Sequence, residues 1–140
     1  MPVIRIAAAV IVDGGGNILL VRKQGTTAFM QPGGKLEPGE EPDLALAREL
    51  FEELGLIVDP VTFDHWGRFT ADAANEPDHT VDCDIYALTI AQPPVAAAEI
   101  EEFRWVSIDD EQLEIAPLAR EVVLPRLRAG TADTSTRPAE

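Results

Sequence analysis

Apolar positions cluster in short runs separated by glycine, proline and acidic residues. Residues 3–12 form the first run, Val- Ile- and Ala-rich and without strict alternation. Such a run predicts a strand buried on both faces, or nearly so. The turn Asp13-Gly14-Gly15-Gly16-Asn17 follows, and residues 18–21 resume a strand, so a hairpin is expected. Residues 22–27 read as a polar loop. Phe29-Met30-Gln31 is a short apolar piece stopped by Pro32-Gly33-Gly34.

The clearest helix spans residues 41–54. Pro42 suits a first turn, Asp43 sits near the positive helix end, and Gly55 fits the C-terminal cap. Leu44, Ala47, Leu50, Phe51 and Leu54 recur at helical spacing and predict the buried stripe. Further strands are expected over residues 61–69, 80–90 and 101–106. Loops at 71–78 and 91–98 separate them, the second broken by Pro93-Pro94. Ser107-Ile108-Asp109-Asp110 suits the cap of a brief turn or helix. A second helix is expected over 115–127, with Pro117 in its first turn and Pro125 disturbing its last. Residues 129–140 are small and polar and predict a disordered tail, leaving residues 1–128 as one domain. The order strands, helix, strands, helix implies helices packed on a mixed sheet.

The chain has 140 residues, 46% of them hydrophobic, enough for one core and too few for two domains. It carries 25 acidic residues against 11 Lys and Arg, a formal net charge of -14. That surface repels duplex nucleic acid and anionic membranes. A phosphorylated substrate therefore needs cations or placed basic groups. Cys83 is the single cysteine, so no intrachain disulfide forms, and it reads as a buried strand residue. With His65 and His79 it makes a poor zinc set, so any metal is expected to be a hard cation on carboxylates. No leader pattern or membrane-length apolar run is seen, and a cytoplasmic protein is expected.

On the predicted helix, Glu49 lies near Glu52 and Glu53, three and four positions on. Clustered like charges toward the C-terminal half of a helix cost stability, about 0.2–0.5 kcal/mol per pair, and the helix dipole adds to the cost. A divalent cation would reverse that cost. A solvated acidic face with Arg48 paired to Glu52 is the plain alternative for the helix taken alone. The preceding loop, Gly33-Gly34-Lys35-Leu36-Glu37-Pro38-Gly39-Glu40, changes the weighing. It delivers one more carboxylate, and its glycines leave backbone carbonyls free to face a cation.

Residues 34–56 together resemble the signature of the Nudix hydrolase family without a gap. The pattern runs from Gly34 through Glu40 to Arg48-Glu49-Leu50-Phe51-Glu52-Glu53-Leu54-Gly55-Leu56. Every fixed position matches. Trp105-Val106 before Ser107 and Asp109 resembles a segment near the end of many members. The resemblance implies an α/β/α sandwich, a mixed β-sheet between helices, over residues 3–127. It also implies Mg²⁺ or Mn²⁺ held by Glu52 and Glu53, with Glu49 close by and the Gly33 carbonyl as a further ligand. Glu40 would help hold metal from the rim, through water or a second ion, and Arg48 would orient the glutamates by a salt bridge. The implied reaction cleaves the diphosphate of a nucleoside diphosphate linked to a moiety X, with a MutT-like triphosphate pyrophosphatase as one form.

Family members differ in which glutamate is the base. Glu49 is a candidate, and among Glu76, Glu99, Glu101 and Glu102 outside the signature Glu99 is preferred as extra ligand or base. Arg5, Arg22 and Lys23 are candidates for phosphate contact. Phe29, Trp66 and Phe69 are candidates for base stacking, although core packing suits short-strand aromatics as well. A catalytically inactive nucleotide-binding or regulatory module is the alternative function. The resemblance also makes a homodimer a common arrangement.

Overall fold

A computed structural model describes residues 2–134. Strands β1 (Val3–Val10), β3 (Gly33–Lys35), β4 (Asp64–Asp72) and β5 (Thr80–Ala87) form a sheet of order β3-β1-β5-β4. In it β1 runs parallel to β5 and antiparallel to β3. Strands β2 (Asn17–Lys23) and β6 (Ile100–Ser107) pair antiparallel as a second, two-stranded sheet. Helix α1 spans Pro42–Leu54. A π-helical turn, Ala119–Val123, leads into α2, Leu124–Thr134.

The expected hairpin forms only at its tip. Asp13 N–H donates to the Asn17 carbonyl and Leu19 N–H to that of Ile11. Beyond that contact β1 and β2 diverge into different sheets, because β1 takes β3 and β5 as its partners. Side chains of both strands alternate between two cores. Ala8, Val10, Ile18 and Leu20 face the layer of Leu118, Val123 and Leu124, while Ala7, Ala9, Leu19 and Val21 face Leu46, Leu50 and Leu54 of α1. A strand buried on both sides explains the unbroken apolar run at the start of the chain. The arrangement is the expected α/β/α sandwich with a mixed sheet.

Several boundaries differ from expectation. Residues 60–62 form a 3-10 turn, and the following strand runs on to Asp72. The strand expected over 80–90 ends at Ala87. On α1 the buried residues are Ala45, Leu46, Leu50, Glu53 and Leu54, whereas Leu44 and Phe51 are 54% and 59% exposed. The inward stripe is therefore rotated from the expected one. Leu46 and Leu50 meet the sheet, and Glu53 turns inward with them.

Pro125 does not end the second helix. Leu124 N–H bonds the Ala119 carbonyl, an i→i−5 closure just ahead of the proline. The widened turn relieves the clash that a proline ring makes with the carbonyl four residues back. The helix then continues to Thr134, so residues 129–134 of the expected tail are helical. Residues 135–140 of that tail lie outside the described residues. Among the described residues no helix is long and apolar enough to cross a membrane.

Candidate active site

The signature loop is locked to β1 by close backbone contact. Gly33 has φ 151°, and a Cβ there would lie 2.1 Å from the Ala7 carbonyl oxygen, so only glycine fits. Leu36 N–H donates to the Arg5 carbonyl and Ala9 N–H to that of Pro32. An antiparallel ladder bonds alternate pairs, so Gly33, opposite Ala8, falls in a pair whose carbonyl is not consumed by β1. At Gly34 a Cβ would lie 2.4 Å from Glu49 Cδ. The missing side chain of Gly34 is thus the space that Glu49 occupies.

Arg48 gathers three acids of the signature, Glu40, Glu49 and Glu52. Its Nε and Nη2 donate to the two oxygens of Glu40 at 2.8 and 2.9 Å. Its Nη1 reaches Glu49 at 2.9 Å and Glu52 at 3.2 Å, and Nη2 also bonds the Lys35 carbonyl at 3.1 Å. Glu37 N–H donates to Glu40 Oε1 as well. Both Glu40 oxygens are consumed, and its carboxyl is held down to about 2, first by Arg48 and then by the Glu37 amide.

Glu53 has the opposite surroundings. It is only 4% exposed, and among the described residues no donor bonds its carboxylate. Burial, then the charge of Glu49, push it up to about 7, with Glu99 and Glu52 adding to the rise and Lys23 opposing it. Glu49 is also raised, chiefly by burial, against the pull of Arg48.

Glu53 and Glu49 line a cleft of about 460 Å³ together with Glu99, Glu76, Lys23 and Lys35. Glu99 reaches it because its loop is pinned at both ends. Val95 and Ala97 N–H groups bond the Leu54 and Glu53 carbonyls at the end of α1, and Gln24 N–H bonds the Glu99 carbonyl. Lys23 lies 3.4 Å from Glu99, and Lys35 lies 3.6 Å from Glu76.

The predicted set is thus only partly brought together. Glu49, Glu53 and Glu99 share the cleft, with Gly33 bordering the adjoining groove. Glu52 and Glu40 are drawn aside by Arg48. Of the basic candidates Lys23 enters the cleft, Arg22 is paired to Glu102, and Arg5 to Asp84. The three aromatics belong to the core. Phe29 is buried beneath the Arg104 guanidinium, Trp66 lies under that of Arg126, and Phe69 packs with them. Cys83 is buried, and burial pushes its thiol up. Glu102 is spent on Arg22 and Arg104.

Among the described residues no three His, Cys, Asp or Glu groups already converge as a cage for a metal. The donor chemistry nonetheless suits a hard divalent cation. A buried carboxylate, Glu53, and a half-buried one, Glu49, face one cleft in which acids outnumber lysines, and the Gly33 carbonyl, turned away from β1, lies on the adjoining strand.

Comparison with known proteins defines the class. The NUDIX domain profile matches residues 3–127, and the chain belongs to the Nudix hydrolase family. It is similar to a MutT NUDIX hydrolase from Burkholderia pseudomallei, with TM-score 0.74 and 21% identity over 89% of this chain and 98% of that one. It is 42% identical over 53 residues to an RNA pyrophosphohydrolase of Tolumonas auensis, covering 38% of this chain and 30% of that protein. It is 41% identical over 59 residues to an 8-oxo-dGTP diphosphatase of Haemophilus influenzae, covering 39% and 43%. The match thus spans less than half the length of either curated relative.

Sequence reasoning missed Gln31, which was read as the end of an apolar piece. It is buried beside the groove that leaves the cleft. Its signal was a polar residue wedged between Phe29-Met30 and Pro32.

Proposed function

We propose that the chain is a divalent-metal-dependent hydrolase that splits the diphosphate of a nucleoside diphosphate linked to a moiety X. The observation that carries this reading is Glu53, a buried carboxylate without a hydrogen-bond donor among the described residues, sharing one cleft with Glu49 and Glu99. Ionised carboxylates so placed need a cation.

Glu53, Glu49 and Glu52 with the Gly33 carbonyl would hold Mg²⁺ or Mn²⁺. Bound there, the ion would neutralise phosphate charge and make water more acidic. Water adds to a phosphorus of the anhydride, the bridging P–O bond breaks, and the products are a nucleoside monophosphate and phospho-X. Pyrophosphate is the second product when X is a phosphate chain. Glu99, with Glu49 as the second candidate, takes the proton of the attacking water. Lys23 and Lys35 face phosphate oxygens from the cleft wall. Arg48 fixes the orientation of Glu49 and Glu52, with Glu40 anchoring Arg48 in turn.

Small size and the named activities of the two curated relatives support a nucleoside triphosphate or an RNA 5′ end as substrate, reached through a local cleft. The net charge of -14 opposes broad binding of duplex nucleic acid or anionic membranes. Fold alone does not guarantee turnover. The test is incubation with Mg²⁺, then Mn²⁺, and a panel of canonical and oxidised triphosphates, dinucleoside polyphosphates, ADP-ribose, nucleotide sugars and triphosphorylated RNA. Turnover of one class, absent in Glu53→Gln and without metal, is the expected result. No turnover with either metal, alongside tight nucleotide binding, would favour the inactive binding module.

A further inference from the structure

The carboxylate cleft continues into a narrowing groove. Lys23, Gly34, Lys35, Asn75 and Glu76 border both the cleft and the next chamber, of about 110 Å³. That chamber shares Ile6, Ala8, Met30, Gln31, Ala74 and Val81 with an inner one of about 90 Å³. The inner end is closed by Ala116, Leu118 and Ala119. These walls are apolar, and Met30 is the flexible member able to adjust to a ring.

Two polar side chains border the inner chamber, Gln31 and Asp72. Gln31 is only 7% exposed. Its Nε2 donates to the Ala9 carbonyl at 3.0 Å. A carbonyl only accepts, so the amide orientation is fixed and Oε1 faces away from Ala9. Among the described residues Gln31 Oε1 is the buried side-chain polar atom left without a partner. Leaving a buried acceptor unmet is costly, and native proteins keep such groups mainly where a ligand or water satisfies them. Asp72 also offers only acceptors when ionised. The inner chamber therefore meets acceptors from both side chains, Gln31 Oε1 and the Asp72 carboxylate, beside the second N–H of the Gln31 amide.

We propose that Gln31 and Asp72 read the base of the nucleotide, and that they select a ring edge carrying adjacent N–H donors. Guanine offers that edge in N1–H and the 2-amino group. Adenine offers one amino donor beside the N1 lone pair, which an acceptor repels. Gln31 is the specificity-determining residue and Asp72 its partner on the inner chamber. The assignment rests on the nucleotide-hydrolase reading, and it adds the class of base.

The test measures binding rather than turnover, by calorimetry of GMP, IMP and AMP with the wild-type chain, Gln31→Leu and Asp72→Asn. The wild type should bind GMP about tenfold more tightly than AMP, with IMP between because it lacks the 2-amino donor. Gln31→Leu should bring GMP and AMP within about twofold, and Asp72→Asn should narrow the gap. If Gln31→Leu does not fold, the order GMP, IMP, AMP and its narrowing in Asp72→Asn decide the matter. Equal affinity for GMP and AMP in the wild type overturns the base reading alone. So does a guanine preference untouched by either substitution. Failure of all three nucleotides to bind overturns it together with the nucleotide-hydrolase reading.

Discussion

Glu40 and Glu53 carry the same carboxylate in one signature, and their surroundings drive them in opposite directions. Glu40 receives donors on both oxygens and is held down to about 2. Glu53 is buried beside other acids, receives no donor among the described residues, and is pushed up to about 7. The first is an anchor satisfied by the protein itself. The second is left without compensation from the described residues. Acidic residues in one signature therefore divide by whether the chain itself supplies the compensating charge.

Exchanging the charge at Glu53 should have the largest effect. Glu53→Gln is expected to lower turnover of the cognate nucleotide by roughly 10²–10⁴-fold in steady-state kinetics. The same substitution should stabilise the metal-free protein at pH 8 by about 1–3 kcal/mol and leave it nearly unchanged at pH 4. The sign follows from a raised carboxyl. The native state holds the proton more tightly than the unfolded chain, so stability is fully present below the ordinary value of 4.5. It is lost as pH rises through about 7. Urea melts of both proteins across that range check it, and a wild type with flat stability between pH 5 and 8 would refute it.

Arg48→Ala comes next, because it releases Glu40, Glu49 and Glu52 together. Turnover should fall roughly 10–100-fold. Arg48→Lys should restore only part of it, since one ammonium cannot span the sites that the guanidinium fork reaches. Rescue to full activity by lysine would show that charge alone suffices.

Gly34→Ala tests the contact between loop and helix. The new Cβ would overlap Glu49, displacing it and costing about 1–3 kcal/mol of stability in thermal or urea melts. The smallest expected effect is at Glu40. Its depressed carboxyl contributes stability that is present above 4.5 and lost as pH falls through about 2. Glu40→Gln should therefore flatten the acid limb of unfolding while reducing turnover less than Arg48→Ala.

The same contrast marks what was legible in the sequence. Periodicity and caps located α1, and the spacing of Glu49, Glu52 and Glu53 gave the acidic cluster. The rotation of α1 was hidden, because Leu44 and Phe51 fit the helical stripe as well as Leu46 does. Only packing on the sheet, with Glu49 lying over Gly34, selects the stripe that carries Glu53 inward. Glu99 was legible as an acid in the loop before β6. Its reach depends on backbone bonds from Val95, Ala97 and Gln24 that no side-chain pattern encodes. Pro125 misled because a π turn absorbs it, and β1 and β2 misled because a tight turn does not prevent two strands from choosing different partners. Gln31 was overlooked because burial, rather than type, gives it meaning.

The central claim is that Glu53 and Glu49 wait for a divalent cation. Titration of Mn²⁺ into the metal-free protein, followed by calorimetry at pH 7.5 without nucleotide, tests it most directly. The account predicts saturable binding that is strongly weakened in Glu53→Gln and retained in Glu76→Gln. Equal binding by the wild type and Glu53→Gln would contradict it.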